Sequence, residues 1–215
     1  MRETLAFFGA FNPPTMAHLR LAEFALRETG AERVIFVPSQ EVYIRGNQGK
    51  DYAYSNSQRL RMLRRAAETR PWMAVSELDI TAPGQPRTYD TLCRFREQGI
   101  TPALLLGSDK LMELETGWSR AAEIAREFGI VCLTRGTDAC RRMVAEDPFL
   151  RSLSPWIRIL ETPEETRNIS STAVRERVTR IRQLRAELAA LVPPEILPCL
   201  TDEIFRQDLT EKGGC

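Results

Sequence analysis

The sequence predicts a doubly wound α/β fold: a parallel sheet with helices on both faces and a small helical extension at its C-terminal end. Three observations predict it. Six short apolar runs alternate with longer amphipathic segments. Most of the runs are nearly continuous in apolar residues, as strands buried on both faces are. The β-α-β-α order continues along the chain without an internal repeat, which calls for a parallel sheet covered on both sides.

In chain order, TLAFFGA (4–10) reads as the first strand and 16–29 as the first helix. RVIFVP (33–38) is the second strand, and 56–69 the next helical pattern. Between them, SQEVYIRGNQGKDYAYS (39–55) lacks periodicity and reads as a long surface loop. WMAVSEL (72–78), PALLLG (102–107), GIVCLT (129–134) and WIRIL (156–160) complete the strands. Helical patterns fall at 89–98, 110–126 and 137–146. Two more, near 171–191 and 194–208, are separated by VPPE.

Composition narrows the class. With 43% hydrophobic residues in 215, the chain can build one domain, or one with an appendage. Thirty Lys and Arg balance 29 Asp and Glu, so net charge gives no reason to expect nucleic acid or a membrane surface as partner. No charged-then-apolar leader and no long apolar span occur, and a cytoplasmic protein is expected. The five cysteines are scattered without a C-x-x-C pair, against a disulfide framework or structural zinc. A single histidine removes every metal site that needs two, and no metal-ligating residue is assigned.

That one histidine stands in FFGAFNPPTMAHLRLAE (7–23), between the first strand and first helix. In open parallel sheets, ligands sit beyond the carboxyl ends of the strands, where this loop lies. Gly9 allows close backbone approach, Pro13 and Pro14 fix the turn, and Thr15 can cap the helix. His18 then falls in the first helical turn, near the positive end of the helix dipole, where a phosphate is well placed. The same loop is also readable as a stable turn with a surface histidine. It matches neither a Walker A loop nor G-x-G-x-x-G.

NISSTAVRERV (168–178) opens a late helix. Ser170, Ser171 and Thr172 stand beside unsatisfied backbone N–H groups, and Arg175 shares the face of Thr172 at i+3. Hydroxyls, amides and a guanidinium together suit a polyphosphate, although a plain Ser/Thr cap with a solvated arginine has the same pattern. In PALLLGSDKLMELETGW (102–118), Asp109 lies just past a strand. A carboxylate there can bind ribose hydroxyls or help hold Mg²⁺, or cap its helix.

These stretches carry a resemblance. GAFNPPTMAH resembles the G-x-F-x-P-x-[HT]-x-x-H signature of the nucleotidylyltransferase superfamily, and Ile169 to Arg175, ISSTAVR, its I-S-S-T-x-[IV]-R motif. The chain is more specifically similar to nicotinate/nicotinamide mononucleotide adenylyltransferases, from about residue 4 to residue 208. Thr15 stands where many bacterial members have a first histidine, and Ala17 where they have glycine. A threonine there resembles the nicotinamide-mononucleotide branch common in eukaryotes. PRTYDTL (86–92) resembles S-Y-T-x-D-T-L with Arg87 in the tyrosine position, a departure that bears on pyridine specificity and not on phosphate chemistry. Asp90 is expected to cap a helix.

The resemblance implies a Rossmann-like nucleotidylyltransferase domain over 1–165. It also implies a C-terminal helical segment over 166–215, packed on the same domain and carrying the second motif. It implies adenylyl transfer from ATP to a pyridine mononucleotide, with Mg²⁺ on the phosphates. Gly9, Ala10, Phe11 and Thr15 then approach the ATP phosphates, and His18 donates to the phosphate chain in the transition state. Ser171, Thr172 and Arg175 hold the β- and γ-phosphates, Ile169 and Ser170 are further ATP-binding candidates, and Asp109 orients the adenylate ribose. His18, Thr15 and Arg175 are the catalytic candidates. Thr88, Trp118, Arg135, Lys50 and Arg45 are the mononucleotide candidates; Trp118 would stack on the pyridine, or else is a core aromatic. Two alternatives stay open: a related transferase using phosphopantetheine or CTP, and a non-catalytic nucleotide-binding protein on the same fold. A homo-oligomer is neither required nor excluded.

Overall fold

A computed structural model describes residues 3–46, 53–134, 140–163 and 170–191. Lys50, Arg135, Ile169 and the helical pattern near 194–208 lie outside the described residues. The chain forms two compact units, Met1–Ser171 and Thr172–Cys215.

The first unit is built on six parallel strands: β1 (Thr4–Gly9), β2 (Arg33–Pro38), β3 (Met73–Val75), β4 (Ala103–Gly107), β5 (Ile130–Leu133) and β6 (Ile157–Leu160). Their order is β3-β2-β1-β4-β5-β6, all neighbours parallel. Alternate residues of each strand face opposite layers. Leu5, Phe7, Val34, Phe36, Leu105 and Val131 join one apolar cluster, and Ala6, Ile35, Val37, Leu104, Leu106 and Cys132 join the other. Burial on both faces is why the strands read as continuous apolar runs.

Helices α1 (Met16–Thr29) and α3 (Asn56–Ala67) cover the first cluster through Leu19, Ala22, Leu26 and Leu63. Gly30, at φ 71°, closes α1 in the left-handed conformation, with its N–H on the Leu26 carbonyl. Ser55 opens α3 in a reciprocal capping box with Gln58. Helices α4 (Thr88–Glu97), α5 (Ser108–Leu111), α6 (Leu114–Gly117) and α7 (Ala121–Glu123, continued by a π turn over Ile124–Phe128) lie over the second cluster. So do α8 (Cys140–Glu146) and α9 (Pro148–Leu153).

Three expectations are corrected. The loop expected over 39–55 contains a helix, α2 (Glu41–Gly46), because Ile44 is 0% exposed and anchors it; one buried residue is too little periodicity to read. The single helix expected over 110–126 is broken into α5, α6 and α7. Gly117 ends α6, Trp118 is extended (φ −116°, ψ 124°), and Arg120 has φ 61°. Asp90 is no cap: α4 starts after Arg87, which puts Asp90 in the first turn. Helix α10 (Ser171–Ala189) begins at the last residue of the first unit and otherwise belongs to the second; none of its residues is fully buried. No helix among the described residues is long and apolar enough to cross a membrane.

Candidate active site at the switch point of the sheet

Strand order reverses between β1 and β4, which sit side by side with Phe7 opposite Leu105. The loop after β1 and the start of α5 after β4 therefore leave the same carboxyl edge, beside the crevice where such sheets take ligands. Both sequence-predicted segments, 9–18 and 107–109, are on that edge.

The loop after β1 folds over itself. Phe11 is 2% exposed and sits at φ 43°, a conformation that L-residues other than Asn and Asp rarely adopt. Its ring stacks edge-on to Phe7 at 5.5 Å and to His18 at 5.2 Å. A Cβ on Gly9 would lie 3.1 Å from Phe11 Cζ. The absent side chain at Gly9 thus makes room for a ring of this chain. The Asn12–Pro13 peptide bond is cis.

Thr15 is the N-cap of α1 and His18 its third residue. The Thr15 backbone N–H donates to His18 Nδ1 at 3.0 Å, and Thr15 Oγ1 lies 2.9 Å from the same nitrogen. A nitrogen that accepts from an amide carries no proton, so the neutral ring holds its proton on Nε2. His18 is thereby set as an Nε2–H donor at the positive end of a 14-residue helix.

Two residues that sequence reading missed, Arg59 and Asn12, hold this loop, and a third, Asp79, ties together the segments after β2 and β3. Arg59 of α3 is 0% exposed, and its guanidinium donates to the Ala10 carbonyl at 2.8 Å, the Tyr54 carbonyl at 3.1 Å and Asn56 Oδ1 at 2.6 Å. Burial pushes that guanidinium down to about 10, and the Glu41 carboxylate pulls the other way, so it is charged at neutral pH. Asn12, 1% exposed, accepts from the Tyr54 N–H at 2.8 Å. Asp79, 2% exposed, accepts from Thr91 Oγ1 at 2.6 Å and Gln85 Nε2 at 2.8 Å. Gln85 in turn accepts from the Gln40 N–H just past β2. For Arg59 a signal was present: it stands beside Leu60 and four residues before Leu63, on the apolar face of α3.

The remaining candidates fall into place as follows. Asp109 is exposed in the first turn of α5. Trp118 is partly buried against the second cluster, and Thr88 is the first residue of α4. Their neighbours are tied together: the Arg120 guanidinium lies 4.0 Å from the ring centroid of Tyr89, whose hydroxyl donates to Glu127 at 3.0 Å. Arg45 pairs with Glu41 at 2.9 Å and donates to the Ala53 carbonyl at 3.3 Å. Ser171, the last residue of the first unit, donates its hydroxyl to the Pro13 carbonyl at 2.8 Å, so the second motif reaches the first loop there. Ser170 immediately precedes α10. Within the second unit, Arg175 donates to Thr172 Oγ1 at 3.0 Å, the face-sharing expected at i+3. Among the described residues, no group of three or more His, Cys, Asp or Glu converges to hold a metal ion.

A parallel sheet in this order, with a histidine-bearing loop at its switch point, is the Rossmann-like class of nucleotide-binding fold. Residues 6–177 match the Cytidylyltransferase-like family. The probable nicotinate-nucleotide adenylyltransferase of Neisseria meningitidis serogroup A is 32% identical over 187 residues, covering 81% of this chain and 88% of that protein. The protein of the same description from Trichlorobacter lovleyi is 30% identical over 209 residues, covering 91% and 94%. The fold is shared with Plasmodium falciparum nicotinic acid mononucleotide adenylyltransferase complexed with NaAD. That likeness has a TM-score of 0.62 at 16% identity over 82% of this chain and 83% of that one. The chain belongs to the cytidylyltransferase-like family, in its nicotinate-nucleotide adenylyltransferase branch.

Proposed function

We propose that the chain transfers the adenylyl group of ATP to nicotinate mononucleotide, releasing pyrophosphate, as a step in the synthesis of a pyridine dinucleotide in the cytoplasm. The names of its relatives favour nicotinate over nicotinamide. The observation that carries the reading is the hydrogen bond from the Thr15 N–H to His18 Nδ1, which leaves Nε2–H as a donor at the carboxyl edge of the sheet.

A phosphate oxygen of the mononucleotide attacks the α-phosphorus of ATP. The bond from that phosphorus to the bridging oxygen breaks, and pyrophosphate leaves with the electron pair. The nucleophile is already an anion at neutral pH, so the chain has to position two repelling anions and stabilise the leaving group. Backbone groups of Gly9, Ala10 and Phe11, with Thr15, face the phosphates, and the His18 Nε2–H donates to the phosphate chain as charge builds. Ser171, Thr172 and Arg175 hold the β- and γ-phosphates, with Ile169 and Ser170 as further ATP-binding residues, from a C-terminal helical segment over 166–215. Asp109 orients the ribose, while Thr88, Trp118, Lys50 and Arg135 receive the mononucleotide. Arg45 would join them only by exchanging Glu41 for a phosphate. When bound with ATP, Mg²⁺ would neutralise part of the phosphate charge, and Asp109 is the carboxylate at this edge that could help hold it.

The test is a substrate panel with product mass identified. ATP is supplied with nicotinate mononucleotide, nicotinamide mononucleotide or phosphopantetheine, and CTP replaces ATP in a parallel set. Nicotinate adenine dinucleotide with stoichiometric pyrophosphate is the expected product. Turnover confined to phosphopantetheine or CTP, or nucleotide binding with no pyrophosphate, would overturn the reading.

A further inference from the structure

We propose that Arg59 is a positioning residue for adenylyl transfer: its buried guanidinium holds the Ala10–Asn12 turn in the shape that sets Phe11 and His18 against the substrate phosphates. The proposal rests on the reading of the 9–18 loop as the phosphate loop.

Helix α3 does not need an arginine at this position to pack. Leu60 and Leu63 supply its apolar face, and an arginine that is 0% exposed carries a desolvation cost that an aliphatic residue would not. What the arginine adds is a fork of donors, which a planar guanidinium presents in fixed geometry. One donor crosses 49 positions of sequence to the Ala10 carbonyl, and the others hold Tyr54 and Asn56. The Tyr54 N–H then donates to Asn12 Oδ1. The two pins, on Ala10 and on Asn12, therefore stand on either side of Phe11 and both come from residues 54–59.

Phe11 is the residue that needs them. At φ 43° it is held in a sparsely populated conformation, which persists only where its surroundings over-determine it. Its ring is packed against Phe7, Phe36 and His18, so a change in the direction of the Ala10 carbonyl moves the face on which the imidazole rests. Asn56 Oδ1 also accepts from the Glu41 N–H at 2.7 Å, which ties the start of α2 to the same guanidinium.

The experiment compares Arg59→Met, which keeps apolar bulk and removes every donor, with Arg59→Lys, which restores one cationic donor. Melting curves are recorded first, and kcat and the KM of each substrate are measured where each variant is fully folded. Arg59→Met is expected to lower kcat by about 10–100-fold, the scale of a small misplacement of reacting groups, with the mononucleotide KM within about twofold. Arg59→Lys is expected to recover part of that loss. If the Met variant does not fold, Arg59→Gln takes its place under the same criterion. A folded variant with kcat within about twofold of native, or a loss that only tracks the unfolded fraction, overturns the proposal. His18→Ala is run in parallel. If it stays active, the reading of the loop fails; if it is inactive while Arg59→Met is active, only the clamp fails.

Discussion

The backbone N–H of Thr15 donates to Nδ1 of His18 across 3.0 Å, so the cap of α1 also selects the tautomer of the chain's single histidine. The amide cannot rotate away as a hydroxyl can, and Thr15 Oγ1, 2.9 Å from the same nitrogen, reinforces it. The ¹⁵N spectrum of the imidazole near neutral pH is therefore expected to show an unprotonated Nδ1 and a protonated Nε2. A protonated Nδ1 would contradict the geometry. His18→Ala should lower kcat by about 10²–10⁴-fold, the range for loss of a transition-state donor, with little change in the melting temperature.

Gly9 is the next point of sensitivity. A methyl group there would lie 3.1 Å from Phe11 Cζ and 3.3 Å from both Cε atoms, and that ring is itself wedged among Phe7, Phe36 and His18. Gly9→Ala is expected to cost about 1–3 kcal/mol, as overpacking does, and to lower activity in the folded enzyme by displacing the loop. Gly84→Ala is the control, because a Cβ there meets nothing within 4 Å; its unfolding free energy should stay within about 0.5 kcal/mol of native.

These two positions were legible in the sequence, and the reason is local. Each strand was read to within three residues at either end, since burial on both faces leaves a continuous apolar run, and α1 was read over its full span from the cap at Thr15 to Gly30. The clamp at Arg59 and the buried Asn12 and Asp79 were not read, because their partners lie 49, 42 and 12 positions away and no periodicity reports such pairs. The broken helix over 110–126 was hidden by helix-forming residues on both sides of Gly117. The break places Trp118 in an extended conformation between α6 and α7, where a helical position would have committed it to one face.

Trp118 carries a prediction of its own. It is only partly buried against the second cluster, and the cation–π contact of Arg120 with Tyr89 holds its segment near the start of α4. Trp118→Ala should raise the mononucleotide KM by the worth of one aromatic stack, about 0.5–1.5 kcal/mol or roughly 2- to 13-fold, with the ATP KM nearly unchanged. A selective rise in the ATP KM would place Trp118 elsewhere.

Arg175 has its guanidinium on Thr172 Oγ1 at 3.0 Å, on the partly buried first turns of α10. Arg175→Ala removes charge-assisted hydrogen bonds worth about 1.5–3 kcal/mol, so kcat/KM for ATP is expected to fall by about 13- to 160-fold. Arg175→Lys keeps the charge without the fork and should fall between the two. Unchanged ATP kinetics in Arg175→Ala would remove this residue from the phosphate site.

Asp79 gives a pH dependence of unusual sign. Burial raises its carboxyl above the ordinary aspartate value, and the hydrogen bonds from Thr91 and Gln85 only partly oppose that shift. The native state therefore binds the Asp79 proton more tightly than the unfolded chain does. Between the ordinary value of 3.8 and the raised one, the native state holds more protons, and the slope of unfolding free energy against pH is negative for this group. Its contribution to stability is full below 3.8 and is lost as pH rises through the raised value, opposite in sign to a salt-bridged carboxylate. Urea denaturation across that window, native against Asp79→Asn, isolates the effect. The asparagine can still accept from Thr91 but cannot titrate, so the difference in unfolding free energy between the two proteins should shift in favour of Asp79→Asn as pH rises. A difference that stays constant with pH, or moves the other way, would show that the buried carboxyl is not what limits stability at this edge of the sheet.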